Sequence, residues 1–293
     1  MVVADNRPPR LSVVIPIQDE AGSIGSVIDS VKSALDTYEG GYEIVAVDDG
    51  SADDSAKLAA AAGASVISHS SPRGYGAALK TGIKAANGEI ITIIDGDGTY
   101  PAEAIPRLVR GLASADMVVG ARVRAGVCVP LMRRPAKWLL TKLASFLSGV
   151  KIPDLNSGLR AFRKDVVLPY LLVLPDRFSF TSTITLLMIG DGRPVEYIPI
   201  DYHKRAGKSK IVPSDAFSFL LLIIRTIMFF NPLKFFFPVG LVLFLLGSGK
   251  LTTDYLIYDR LSGTPILLIL SALQIWGMGF LAELILFLER RRK

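Results

Sequence analysis

The chain has 293 residues, half of them hydrophobic, with a single cysteine, two histidines and 33 Lys and Arg against 27 Asp and Glu, for a formal net charge of +6. This inventory excludes an intrachain disulfide and makes a Cys/His zinc site untenable, so any metal must be held by oxygen. The basic residues gather beside an apolar tail, at His203-Lys204-Arg205, Lys208, Lys210 and Arg290-Arg291-Arg292-Lys293, without a nucleic-acid motif, which points to a membrane surface and topology signals rather than to nucleic acid.

Taken in chain order, residues 1–10 lack the apolar run that opens a signal peptide, and the N-terminal half is expected to remain in the cytosol. From there to about residue 213 the chain mixes charged, small and apolar residues as a soluble α/β protein does, so the mean hydropathy of +0.42 arises mainly in the tail. Short β-branched runs at 11–15, 42–47, 65–67 and 89–94 have the pattern of buried parallel strands. Between them, 24–35, 55–62 and 76–86 are rich in Ala, Leu and Lys with apolar spacing near 3.6, so strand and helix alternate. A doubly wound α/β domain follows, and in such a sheet the ligand lies beyond the carboxyl ends of the strands.

Those ends are acidic: Pro16-Ile17-Gln18-Asp19-Glu20, then Asp48-Asp49-Gly50-Ser51, then Asp95-Gly96-Asp97-Gly98. Asp95 and Asp97, with glycines that let the backbone turn, suit Mg²⁺ or Mn²⁺, because two hard carboxylates can share an ion with phosphate oxygens and water. Asp48 is assigned to base or ribose recognition, whereas Ser51 or Asp53 is expected to cap the helix starting near Ser55. Arg73-Gly74-Tyr75-Gly76 opens a further helix, whose free N–H groups could face an anionic phosphate.

In the tail, 217–230 is apolar except for a polar stripe continued from Asp215 through Ser218 and Arg225, and it ends at Asn231-Pro232. An interfacial amphipathic helix over 213–232 is expected, with a third span as the competing reading. Two transmembrane helices are expected at about 234–250 and 265–288, the second interrupted only by Gln274 and Glu283. Two spans return the basic C-terminal residues to the cytosol, as the positive-inside rule favours.

Together these passages resemble a family 2 glycosyltransferase of the GT-A fold, in the branch of dolichol-phosphate mannose synthases and bacterial polyprenyl-phosphate glycosyltransferases. The resemblance rests on Val13 to Glu20, Val47 to Ser51, Arg73 to Asp97, Asp154-Leu155-Asn156-Ser157-Gly158-Leu159-Arg160-Ala161-Phe162-Arg163, and Glu196 to Ile200 with Arg205 to Lys210. It implies a Rossmann-like, mostly parallel sheet with helices on both faces as a cytosolic catalytic domain over 1–212. It also implies hexose transfer from a GDP- or UDP-sugar to dolichyl or undecaprenyl phosphate, with a homo-oligomer compatible.

By the same resemblance Pro16, Gln18, Glu20, Asp48, Arg73, Arg205 and Lys208 bind the nucleotide sugar, and Asp95 and Asp97 serve its diphosphate and the metal. Thr99 stands where the family commonly has a Gln that helps hold the metal, and is carried as the third metal residue. Arg122, Arg133, Arg134, Ser157 and Arg160 would grip the acceptor phosphate, since arginine presents fixed donors to phosphate oxygens. Asp154 and Arg160 join the acidic pair as catalytic residues, Asp154 by placing the acceptor or assembling the site.

Two other readings are open from sequence: a membrane glycosyltransferase that extends a glycan at a hydroxyl, and a non-catalytic membrane scaffold. A nucleotidyltransferase ranks low, because Pro16 to Glu20 stands where a glycine-rich basic loop would be needed.

Overall fold

The computed structural model of the protein describes residues 10–123, 142, 145, 149–177, 179–203, 232–258 and 262–291. The chain forms two compact units, Met1–Lys142 with Lys151–Asp215, and Leu143–Val150 with Ala216–Lys293.

The first unit opens with β1 (Leu11–Ile17), α1 (Ile24–Leu35), β2 (Tyr42–Asp48), α2 (Ser55–Ala61), β3 (Ser65–Ser68), α3 (Tyr75–Ala85) and β4 (Ile90–Ile93). It continues through α4 (Ile105–Gly111), β5 (Met117–Ala121), β6 (Arg160–Arg163), α5 (Lys164–Val167), α6 (Phe180–Gly190) and β7 (Val195–Pro199). Among the described residues the strands make one seven-stranded sheet in the order β3-β2-β1-β4-β6-β5-β7. All neighbours are parallel except β6, which runs against both β4 and β5.

The alternation of side chains along a strand explains how helices cover both faces. Val13, Ile15 and Ile17 of β1 join the core cluster that contains Ile24, Val27, Ile28, Val31 and Leu35 of α1, whose spacing puts them on one helical face. Each such side chain removed from water stabilises the fold by about 1.5–3 kcal/mol. On the opposite face Val14 meets α3 so closely that a Cβ on Gly82 would lie 2.4 Å from its Cγ1, which is why the helix carries no side chain there.

The four strands and three helices read from the first ninety-odd residues agree with the structure to within two residues. Three strands were not anticipated. β6 reads Arg-Ala-Phe-Arg, only four residues with a charge at each end, and β7 is a partly exposed edge strand containing Glu196. β5 is a buried five-residue run that stands apart from the regular strand-helix alternation.

The second unit is described through two helices, α7 (Leu233–Tyr258) and α8 (Gly263–Arg291), both long and apolar enough to cross a membrane. They pack closely where glycines allow it. A Cβ on Gly240 would lie 2.4 Å from Nε1 of Trp276, and one on Gly279 would lie 2.8 Å from Cβ of Phe236. Trp276 donates its indole N–H to the Phe237 carbonyl (3.1 Å) and lies between the rings of Phe237 and Phe244. Pro238 falls early in α7, where the backbone bond it forgoes would have gone to the Lys234 carbonyl.

The first of these helices is longer than the stretch read from sequence, since α7 does not stop at Lys250 but runs eight residues further. Lys250 Nζ pairs with Asp254 Oδ1 one turn on (3.2 Å), and Asp254, 1% exposed, also accepts the Ser262 hydroxyl just before α8. The two charges satisfy each other and tie the hairpin's turn, so Lys250 does not have to end the helix. α8 likewise exceeds its expected bounds by two or three residues at each end. The interfacial helix expected over 213–232 lies outside the described residues, apart from Pro232.

Candidate active site

The chain lays β1, β2 and β3 outward in one direction and then returns to place β4 on the other side of β1, so the connections diverge between β1 and β4. A crevice opens beyond the carboxyl ends of strands at such a point. The loops after β1, β2 and β4 all lie at this edge and are bound to one another. The Asp19 amide donates to Ser51 Oγ (3.0 Å) and the Ala52 amide to Asp19 Oδ1 (2.8 Å). The Glu20 amide donates to Ser55 Oγ (2.8 Å), the Ala21 amide to Asp53 Oδ2 (3.1 Å), and the Ser23 hydroxyl to the Gly96 carbonyl (2.8 Å).

Pro16 fits within β1 because β4 ends opposite Val14, leaving no ladder partner on that side for the N–H that proline lacks. Asp48 is 6% exposed and accepts the Ser51 amide (3.1 Å). Its neighbour Asp49, which sequence reasoning left without a role, holds the next loop. Asp49 Oδ1 accepts the Arg73 amide (2.9 Å) and meets His69 Nδ1 (2.7 Å), while Oδ2 accepts the Gly74 amide (2.7 Å). The other ring nitrogen of His69 meets the Thr81 hydroxyl at 3.0 Å. Burial alone would raise the Asp49 carboxyl, but the bonds from His69, Arg73 and Gly74 outweigh it and hold it below the ordinary value.

These contacts narrow two expectations. Of Ser51 and Asp53, the helix-start contact belongs to Asp53, whose Oδ1 accepts the Ser55 amide (3.0 Å), while Ser51 bridges to the β1 loop. Of the N–H groups around the start of α3, three are taken by the protein itself and not left for a phosphate: Asp49 accepts those of Arg73 and Gly74, and the Asp176 carbonyl that of Ala77 (2.9 Å). The Arg73 side chain lines a cleft of about 260 Å³ along α3 with Lys80, Thr81 and Asp176.

At the end of β4 each carboxylate of the acidic pair accepts a hydroxyl. Tyr75 OH donates to Asp95 Oδ1 (2.8 Å), and Thr99 donates to Asp97 Oδ1 through its hydroxyl (2.6 Å) and its amide (3.1 Å). Burial, then the Asp95 charge, raises the Tyr75 phenol well above its ordinary value, so it remains a donor. Thr99 is fully buried with its hydroxyl turned onto Asp97. As placed it orients the Asp97 carboxylate.

The passage from Asp154 to Leu159 reaches this edge because β6 is antiparallel, so the residues before the strand, not those after it, arrive where β4 ends. Gly158 lies directly against the Asp95 carboxylate, where a Cβ would be 2.4 Å from Oδ2. The Gly158 amide donates to Tyr100 OH (2.7 Å).

Asp154, 1% exposed, forms a two-pronged pair with Arg122, Nε to Oδ2 at 2.7 Å and Nη2 to Oδ1 at 2.9 Å. The Arg122 guanidinium also lies over the rings of Tyr100 (5.9 Å) and Tyr202 (5.2 Å). The pair therefore braces the site.

Two acceptor-phosphate assignments are overturned. Arg160 is 0% exposed, with Nη1 donating to the Thr181 carbonyl and Thr185 Oγ1 (both 2.9 Å) and Nη2 to the Ser157 carbonyl (2.6 Å). Its fork is filled by the protein's own oxygens, so it holds the core together instead of meeting a substrate. Ser157 is equally buried, with its hydroxyl on the Gly120 carbonyl (2.6 Å). Arg133, Arg134, Arg205 and Lys208 lie outside the described residues.

A doubly wound sheet with its acidic loops at the switch point, in a chain that also carries two membrane-length helices, defines the class: a GT-A-type transferase domain joined to a helical hairpin. The chain belongs to glycosyl transferase family 2, whose profile matches residues 12–170, and the GtrB C-terminal hairpin profile matches residues 231–287. It is thus an enzyme of the glycosyltransferase class.

Among curated relatives, a dolichyl-phosphate hexose transferase of Haloferax volcanii is 30% identical over 205 residues, covering 69% of this chain and 87% of the relative. An undecaprenyl-phosphate 4-deoxy-4-formamido-L-arabinose transferase of Aeromonas hydrophila is 30% identical over 294 residues, covering 94% and 88%. Among solved structures, glucosyl-3-phosphoglycerate synthase from Mycobacterium tuberculosis, crystallised with Mn²⁺, UDP and glucosyl-3-phosphoglycerate, superposes with a TM-score of 0.57. At 23% identity over 75% of this chain and 78% of the other, that likeness concerns the fold.

Proposed function

We propose that this enzyme transfers a hexose, mannose or glucose, from a GDP- or UDP-sugar to a polyprenyl phosphate with inversion at the anomeric carbon, yielding a polyprenyl-phosphate sugar. The supporting observation is that one chain joins the Asp95 and Asp97 edge, suited to a water-soluble donor, with a hairpin whose apolar side chains are exposed, suited to lipid. The names of the relatives support the polyprenyl-phosphate acceptor, and that of the Haloferax volcanii relative the hexose.

Asp95 and Asp97 would hold Mg²⁺ or Mn²⁺, and the donor set fits: both are hard oxygen ligands, each steadied by a protein hydroxyl. Diphosphate oxygens and water would complete the shell around the two carboxylates. The ion would neutralise charge gathering on the departing diphosphate.

The acceptor phosphate oxygen attacks the anomeric carbon as the bond to the diphosphate oxygen breaks, and the nucleoside diphosphate leaves with the electron pair. The acceptor is already ionised near neutral pH, so no side chain need remove a proton, and alignment with charge balance carries the rate. Asp48 of the second loop, with Pro16, Gln18 and Glu20 at the end of β1 and its loop, would bind the nucleotide. Arg133 and Arg134 serve the acceptor phosphate, and Arg205 and Lys208 the donor or lipid phosphate. The basic C-terminal residues favour a cytosolic catalytic unit.

Purified protein in detergent, given radiolabelled nucleotide sugars, Mn²⁺ or Mg²⁺ and polyprenyl phosphate, is expected to produce chloroform-soluble label. Failure with every donor, or label that appears equally without polyprenyl phosphate, would sink this reading.

A further inference from the structure

Tyr75 stands between two glycines that cannot be replaced without collision. A Cβ on Gly74, whose φ is +109°, would lie 2.6 Å from the Asp176 carbonyl oxygen, and one on Gly76 would lie 2.1 Å from that of Pro175. The main chain on both sides of Tyr75 is therefore pressed against the backbone of 175–176, which fixes where the first residue of α3 sits. The Ala77 amide bonded to the Asp176 carbonyl (2.9 Å) and the Lys80 ammonium paired with Asp176 Oδ1 (2.7 Å) fasten the same contact further along the helix.

From that fixed root the phenol reaches across twenty residues of sequence to Asp95 Oδ1 at 2.8 Å. Across the carboxylate lies Gly158, close enough that a methyl group there would overlap Oδ2. Asp95 is thus located between a hydroxyl donor on one element and bare backbone on another. Asp97 differs, since its own loop supplies the Thr99 hydroxyl and amide.

We propose that Tyr75 is a positioning residue that sets the orientation of the Asp95 carboxylate for a divalent cation through the hydrogen bond from its hydroxyl to Oδ1. This rests on the reading of Asp95 and Asp97 as the metal carboxylates. Groups that orient a metal ligand commonly affect affinity about 10- to 100-fold when removed, without touching the ion.

Tyr75→Phe in the full-length protein keeps the ring and its packing and removes one oxygen. Mn²⁺ binding, followed by the loss of the free-ion electron paramagnetic resonance signal in the presence of UDP or GDP, is expected to weaken about 10-fold. The melting temperature and metal-free nucleotide binding should not change, and kcat at saturating Mn²⁺ should return to near the wild-type value. That split separates positioning from a catalytic or purely structural role.

Unchanged Mn²⁺ affinity in Tyr75→Phe, with wild-type protein binding Mn²⁺ normally, overturns the role of Tyr75 and leaves the functional reading standing. A loss of kcat that saturating Mn²⁺ does not restore also overturns it. Wild-type protein that binds no Mn²⁺ with either nucleotide overturns both.

Discussion

The two units solve opposite problems with one set of rules. In the α/β unit apolar residues are inside and the polar atoms of the sheet edge are spent on each other, loop to loop, as in the Asp49 bonds to Arg73 and Gly74. In the hairpin the apolar residues are outside, with Leu246 59% and Leu256 73% exposed, while the charged Asp254 is turned inward and paired. The contrast teaches that burial is a statement about the solvent: the first unit hides hydrocarbon from water, and the second, with hydrocarbon outside and a charge inside, has the arrangement that suits lipid.

The contrast is sharpened most by Asp97→Asn, which removes charge from the reactive edge while leaving both interiors intact. Transfer is expected to fall about a thousandfold, with an unchanged melting temperature, in kinetic and thermal scans of the same preparation. Arg160→Met should do the reverse. Leaving the Ser157 carbonyl buried without its guanidinium donor costs about 1–3 kcal/mol, read as a lower denaturation midpoint, while the KM for the lipid acceptor of the protein that remains folded stays the same. A raised acceptor KM without loss of stability would restore Arg160 to the substrate.

Gly158→Ala tests whether the edge is as tightly fitted as the core. The added methyl must displace Asp95, and kcat is expected to drop about 100-fold with little change in stability. In the hairpin, Gly240→Leu forces Trp276 away and should cost about 1–3 kcal/mol when unfolding is followed in detergent.

The smallest effect is that of pH on Asp49. Its carboxyl is held below the ordinary value, so the stability it confers is fully present above the unfolded-state value of about 3.9 and is lost as pH falls through the lower folded value. Asp49→Asn should lower the melting temperature near neutrality and flatten its decline below about pH 4.

How much of this the sequence could reveal depended on whether a feature was local. β1 to β4 and α1 to α3 were readable because a buried parallel strand is a continuous apolar run and an amphipathic helix repeats every turn. The acidic loops were readable for the same reason, since each follows its strand directly. Tyr75 carried no role from sequence, because its partner is on another loop; the flanking Gly74 and Gly76 were the available signal of close approach.

The N–H groups of Arg73, Gly74 and Ala77 looked open to phosphate only because Asp49 and residue 176 are distant in the chain. Arg160 misled for a different reason. Arginine is almost never fully buried, so its type argued for the surface, and only the surrounding carbonyls of Ser157 and Thr181 explain its position.

Trp276 gives the hairpin an optical gauge. The chain has two tryptophans, and with Trp138→Phe the indole pressed between Phe237 and Phe244 would be the sole emitter of its kind. Its emission colour then reports whether the two helices are closed, in detergent, in bilayers or during a turnover, without any attached dye.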